Sequence, residues 1–287
     1  MRKWMIAVIA ILFTITFTAC QDTATPTEGT TDENTSELTA EDVFEKALTV
    51  AEEMESAEVL MGMKQTMESP DEESMSTEGE FTIQMTMDPV AMHQDGSLTF
   101  EMAGMPAQDI NMEMYMTDDA IYMYEDDLGE WIKLDSMMGD MLDMMGAQQQ
   151  DPAEEMKMLE EYVDDLQFEQ TEDTFIFKLD VDSDKFNNLM EEMIDEAFPP
   201  EMMELLEDDD FDMMENIEVN HLSYDMVLDK ESYEMITYDI DMSMTIKVED
   251  FEVTVDQTIN TEYSNINGID EIEVPQDVID NAVDQSF

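Results

Sequence analysis

The chain has one cysteine, Cys20, so no intramolecular disulfide can hold its fold together. It has two histidines, His93 and His221, and neither sits within a motif. No Gly-x-Ser-x-Gly elbow and no glycine-rich phosphate loop occurs among its nine glycines. Nucleophilic catalysis needs an activated Ser or Cys beside an oriented base. These shortages leave no recognisable form of it, and no enzyme is expected. Basic residues are equally scarce: ten Lys and Arg face 75 Asp and Glu, a net charge of −65. Nucleic acid and anionic headgroups are poor partners for a surface of that sign. No apolar run reaches the ~20 residues a membrane-spanning helix needs.

What is present begins with a short leader. Arg2 and Lys3 form a charged start, residues 4–17 an apolar stretch, and Thr18 and Ala19 a small-residue pair, the pattern of an export signal. Phe17-Thr18-Ala19-Cys20 resembles the lipobox of bacterial lipoproteins, in which the cysteine becomes the lipid-modified first residue of the mature chain. The usual residue at the Phe17 position is a smaller aliphatic one. The resemblance implies a signal over residues 1–19 and a membrane anchor through lipidated Cys20. It places the chain on the outer face of a Gram-positive-type cell membrane. The mature chain would hold about 268 residues (287 − 19), with eight lysines against 75 acids and a net charge of −67. The acids are spread along the whole chain, which favours adaptation of an exported protein to salty or alkaline surroundings over a cation-capturing site.

Residues 20–38 are rich in Thr, Glu, Asp and Pro and read as a flexible acidic tether, and residues 39–287 as one domain. Thr39 with Asp42 forms a capping box. Val43, Phe44, Ala47, Leu48, Val50, Ala51 and Met54 then recur at helical spacing. From residue 57 to residue 133 the period is two. Phe81, Ile83, Met85 and Met87 form one alternating set, and Leu98, Phe100 and Met102 another. Ile110, Met112, Met114 and Met116 follow, then Ile121 and Met123. Asp88-Pro89 and Asp95-Gly96 are read as the turns between these strands. Residues 136–162 are expected to be helical, 175–181 a strand, and 184–206 two helices split at Pro199-Pro200. Three long strands then carry Leu222, Tyr224, Met226 and Leu228; Ile236 through Val248 on alternate residues; and Val253, Val255, Ile259 and Tyr263. A short helix over residues 276–283 ends the chain. Sheet and helices are segregated in sequence, so the class is α+β, with the central helices covering one apolar face of an antiparallel sheet.

The chain holds 33 methionines, placed where leucine or isoleucine would line a core. Methionine is flexible and polarizable, and a surface built from it accepts ligands of varied shape. A plain core with an unusual residue preference would use the same positions. Thioethers also suit Cu(I), but Met112, Met114 and Met116 fall ~6.8 Å apart along a strand, which is core spacing and not convergence on one ion. Asp180-Val-Asp182-Ser-Asp184 with Glu191 imitates a calcium loop, yet Lys185 stands where the turn needs glycine, so helix capping by Asp182, Ser183 or Asp184 is the better reading. No metal and no cofactor are expected.

Residues 260–282, NTEYSNINGIDEIEVPQDVIDNA, follow Leu228-Asp-Lys-Glu-Ser-Tyr233 at the head of a long strand. Together they resemble an uncharacterised family of Gram-positive cell-surface lipoproteins, which are themselves similar to the LolA/LppX group of lipid and lipoprotein carriers. The resemblance implies a strongly curved antiparallel sheet, an unclosed half-barrel lidded by helices, whose concave face holds acyl chains. On this reading the chain is a monomer that binds or shuttles a hydrophobic ligand without chemistry. Alternation selects Met112, Met114, Met116, Tyr238, Ile240, Met242, Met244 and Ile246 as the lining. The rival is a structural or interaction protein of the cell envelope, with a filled core and an acidic cation-binding surface. A methionine-based metal or oxidant buffer is the third possibility.

Overall fold

Thr39 caps the first helix, α1 (Ala40–Glu52), as its spacing from Asp42 predicts. The Thr39 hydroxyl accepts from the Asp42 N–H at 3.1 Å, and the Asp42 carboxylate accepts from the Thr39 N–H at 3.1 Å. The computed structural model describes residues 23–27, 35–70, 74–118, 120–126, 128–134, 152–160, 162–163, 166–181, 217–248 and 251–285.

Within these residues the chain builds one sheet of 13 strands. They are β1 (Thr25–Pro26), β2 (Ser56–Glu68), β3 (Met75–Met87), β4 (Val90–Met102), β5 (Gln108–Thr117), β6 (Ala120–Glu125) and β7 (Glu130–Leu134). After α2 (Pro152–Glu160) come β8 (Gln167–Gln170), β9 (Thr174–Val181), β10 (Ile217–Asp229), β11 (Met235–Val248) and β12 (Phe251–Ser264), then α3 (Gln276–Asn281) and β13 (Val283–Gln285). The spatial order is β1-β8-β9-β10-β11-β12-β2-β3-β4-β5-β6-β7-β13, a linear order that does not close on itself. All pairs are antiparallel except those of the two edge strands, β1 on β8 and β13 on β7, which are parallel. The sheet is large, curved and unclosed.

Period-two alternation places the apolar residues of every long strand on one face. Register carries that face across the sheet: Tyr238 aligns with Thr261, Thr261 with Met61, Met61 with Phe81, Phe81 with Gly96, and Gly96 with Met112. Against this inner face pack Val43, Phe44 and Ala47 of α1 and Met156 and Leu159 of α2. Phe44 meets Phe177 edge-on at 6.0 Å, and Phe168 stacks on Phe177 at 4.6 Å. Each such side chain contributes about 1.5–3 kcal/mol by burial. Lys157 joins the two helices through Glu52 at 3.4 Å.

The structure departs from the sequence reading in four places. Asp95-Gly96 is not a turn, because β4 runs through it without a break. Gly96 is required by its neighbour: a Cβ there would collide with the Glu80 carbonyl oxygen and approach Phe81 Cδ1 to 2.5 Å. Gly79 serves the same ring from the other side, with Phe81 Cε2 at 2.8 Å from where its Cβ would stand. The expected helical cover is narrower than drawn: among the described residues only α1 and α2 lie on the inner face, while α3 packs on the outer one. The expected helices over residues 136–151 and 184–206, and the Asp182–Glu191 part of the calcium-like motif, lie outside the described residues.

The third departure is at the N-terminal segment. Thr25–Pro26 pairs with β8, Ala24 is 4% exposed, and the buried Gln170 amide donates to the Ala24 and Ser36 carbonyls while its oxygen accepts from the Ser36 N–H at 2.8 Å. Part of the stretch expected as tether is therefore held against the sheet edge. The fourth lies between β10 and β11, where an irregularity aligns Leu228 with Met235 and Val227 with Thr237. It puts Met235, and not Ile236, opposite Leu228, where it is buried.

Candidate functional site

All eight residues selected by alternation fall on the inner face. Tyr238 is a buried member of the main core, and Ile240 and Met242 pack against it half-buried. Met112, Met114 and Met116 pack against the same core from β5, six strand positions from β10. Met114 and Met116 also touch the small cluster of Ile121, Ile132 and Leu134. Met244 and Ile246 are half-buried and lie beyond the main core. The eight do not meet at one point; they occupy several successive rows of the face.

Those rows are not equivalent. One is polar: Met242 aligns with Gln257, Gln257 with Gln65, and Gln65 with Thr77. On its proximal side the face is filled by α1 and α2, and the cleft left between Ala47, Met54, Pro152, Met156, Met235 and Tyr263 has only about 20 Å³ of room. That is space for a single water, not for a chain of methylenes. On its distal side lies a row of which the sequence reading put only Met244 in the lining, although it placed Met102 and Val255 on the apolar face. It runs Met244, Val255, Met67, Met75, Met102 across five adjacent strands. Four strand spacings of ~4.8 Å make this row ~19 Å long. Val255 is 4% exposed, Met67 and Met75 are half-buried, and Met102 is 40% exposed.

Two members of the row, Met75 and Met102, also border an open cleft of about 500 Å³ at the ends of β2, β3 and β4, whose strand-borne polar lining, Lys64, Thr66, Ser76 and Glu101, belongs by register to the outer face with Glu78. Volumes of this size hold small molecules. Met105, in the β4–β5 loop, is 60% exposed. No motif announced this cleft; the available signal was the scarcity of lysine, which makes each lysine worth placing.

The outer face is different in kind. Its ladders carry Glu58, Glu78, Glu80, Asp225, Asp239, Asp241 and Asp256 among Ser and Thr. Asp225 stands directly across from Asp239. Burial pushes the Asp225 carboxyl above the usual carboxylate range; Lys178 opposes this, while Asp239, Asp180 and Glu169 add to it. Lys178 itself bonds Glu169 at 3.1 Å. At the β5–β7 end the outer face turns aromatic. His93 stacks on Tyr115 at 4.2 Å, and both reach Glu113 at 3.4 Å. Ile272, Val274 and Val278 of the C-terminal segment cover Tyr115 and Tyr122. Among the described residues no three His, Cys, Asp or Glu side chains gather as a metal site.

Fold and face together define a class: an open, mostly antiparallel sheet whose apolar face is crossed by one polar row, plugged by two helices on one side of that row and methionine-lined on the other. The chain belongs to the family of unknown function DUF6612, which matches residues 39–283. No curated protein matches it in sequence. Among solved structures it is similar to a LolA superfamily protein from Nitrosomonas europaea at 8% identity, covering 84% of this chain and 97% of that one with a TM-score of 0.26. A β-barrel-like protein of the DUF1849 domain from Brucella abortus follows at 6% identity, 74% and 99% coverage and a TM-score of 0.20. A DUF1329 family protein from Desulfovibrio piger stands at 8%, 78% and 90%, and 0.21. Scores this low carry no argument about function.

Proposed function

We propose that this protein is a membrane-anchored, extracytoplasmic lipoprotein that binds a hydrophobic ligand on its inner face without catalysis. The observation that carries the reading is the distal methionine row. It lies on the same face as the core and is separated from the filled core by Gln65, Gln257 and Thr77. Its ~19 Å length suits one acyl chain, which occupies about half of a ~30 Å bilayer core, or ~15 Å. Methionine suits such a ligand because a flexible thioether conforms to a chain that has many conformers. Anchoring rests on Cys20 and the lipobox-like residues before it. Growth with labelled palmitate tests that part: the label should enter the chain and be lost in Cys20→Ser, and an unlabelled native chain would reject the anchor.

A structural protein of the envelope is the second reading, favoured by the tightly filled space under α1 and α2. Added amphiphile separates the two. A carrier takes it up at one site, whereas a structural protein leaves it in solution.

A further inference from the structure

Thr23 pairs with Thr39 in an isolated bridge, and Thr25 and Pro26 pair with Glu169 and Gln170 of β8. The Thr27 N–H donates to the Gln170 carbonyl at 2.9 Å, and the buried Gln170 side chain fastens Ala24 and Ser36. The chain is thus fixed to the sheet edge from Thr23 onward. Only Gln21 and Asp22 separate Thr23 from Cys20. Three Cα–Cα steps of ~3.8 Å let Cys20 stand no more than ~11 Å from Thr23. Left free, residues 20–38 would span roughly 24 Å on average and about 60 Å when stretched.

The edge so held differs in charge from the rest of the protein. Residues 23–27 read Thr-Ala-Thr-Pro-Thr and carry no charge, in a chain of which 30% is charged. The one charge of β8, Glu169, is paired with Lys178 at 3.1 Å, which leaves Glu37 as the acid of residues 35–38. At the opposite edge α3 and β13 carry Asp277, Asp280 and Asp284 and no lysine. Twelve strand spacings of ~4.8 Å set the two edges ~58 Å apart along the sheet. Pro26 has no N–H to offer, so β1 is poorly made to take up a further strand. Register gives the direction of approach. Going back from Pro26 to Thr25 runs the same way as going forward from Ile176 to Val181. Val181 aligns with Leu222 and Leu222 with Met242, at the level of the polar row. The chain therefore comes to β1 from the side of the distal methionines.

We infer that the edge formed by β1, residues 35–38 and β8 is a bilayer-contact surface, held against the outer leaflet of the cell membrane by the short link to a lipidated Cys20. The inference rests on the lipid-anchor reading of Cys20. Charge explains why this edge is the one that fits. A chain with an excess of 65 negative charges is repelled by an anionic leaflet over ~8 Å at 0.15 M salt, and the near-neutral edge meets that field at least cost. An acyl ligand drawn from the same leaflet then enters on the side of the distal row.

The test places one fluorophore at a time on the lipidated full-length chain in phosphatidylcholine vesicles that carry a headgroup nitroxide, which quenches only at close range. Glu37→Cys and Gln167→Cys put it on the near edge, and Leu128→Cys and Asp284→Cys at the far one. Each introduced thiol is the only free one, because Cys20 carries the lipid. Quenching should be several-fold stronger at residues 37 and 167 than at 128 and 284. A Gly/Ser insert of ~20 residues between Asp22 and Thr23 spans roughly 25 Å on average and should abolish that difference while the chain stays vesicle-bound. Gln170→Leu, which releases residues 23–27 and 35–38 from β8, should lower the quenching at residue 167 in the same way. Equal quenching at all four positions in a vesicle-bound chain overturns the contact surface and leaves the anchor standing. A near-edge preference that the insert does not alter also overturns it, since the link then does not set the orientation. A chain that takes up no palmitate and stays free of vesicles removes the anchor and the inference with it.

Discussion

Phe81 lies directly across from Gly96, and the backbone of β4 comes close enough to its ring that no side chain fits at residue 96. Gly96→Ala should therefore destabilise the fold by about 1–3 kcal/mol, because both obstacles, the Glu80 carbonyl and the Phe81 backbone and ring, are fixed by the sheet. Gly62 in β2 is the control: nothing lies within 4 Å of the position its Cβ would take. Gly62→Ala should be neutral or stabilising by up to about 1 kcal/mol. Urea midpoints of the two variants check the contrast.

Gln170 is 1% exposed and holds Ala24 and Ser36 through three hydrogen bonds. Gln170→Leu keeps the volume and strands the Ser36 N–H and the two carbonyls, at a cost of about 1–3 kcal/mol. Hydrogen exchange should then accelerate over residues 23–27 and 35–38 and stay unchanged in β10–β12. Uniform acceleration across the sheet would show that the segment does not act as a local clasp.

The across-strand pair Asp225 and Asp239 makes stability depend on pH and salt. In the folded state burial, first of all, raises the Asp225 pKa above the ordinary aspartate value of 3.8. The folded state therefore holds the proton more strongly, and the stability this confers is lost as pH rises from about 3.8 through the raised value. Asp225→Asn should stabilise the protein at neutral pH and lose that advantage in acid. Asp42 behaves oppositely: the Thr39 backbone bond lowers its pKa, so the stability it contributes is present above 3.8 and lost as pH falls below. Added salt should raise the melting temperature of the native chain, since the excess of 65 negative charges is screened over ~8 Å at 0.15 M and over less at higher salt.

Much of this architecture was legible in the residues. Period-two alternation gave the inner face of β3, β5, β10, β11 and β12 because a strand's faces are fixed by local geometry. The Asp95-Gly96 pair was misread because glycine after aspartate signals a turn locally, whereas here the glycine answers to Phe81 on the next strand. Strands β1 and β13 are two and three residues long, too short for any period, and their pairing depends on partners 144 and 151 residues away. The lining was legible as a face but not as a site. Nothing in the order of residues reveals that α1 and α2 fill the rows near Tyr238, or that Gln65, Gln257 and Thr77 align to set off the distal methionines.

The central claim is that an acyl ligand lies along the distal methionine row, and native mass spectrometry of the full-length chain released from bacterial membranes tests it most directly. A co-purifying acyl lipid at near one-to-one is predicted, lost in Met75→Asp and Met244→Asp variants whose circular dichroism is unchanged. A clean apo mass, with no uptake of added fatty acid or phospholipid, would contradict it.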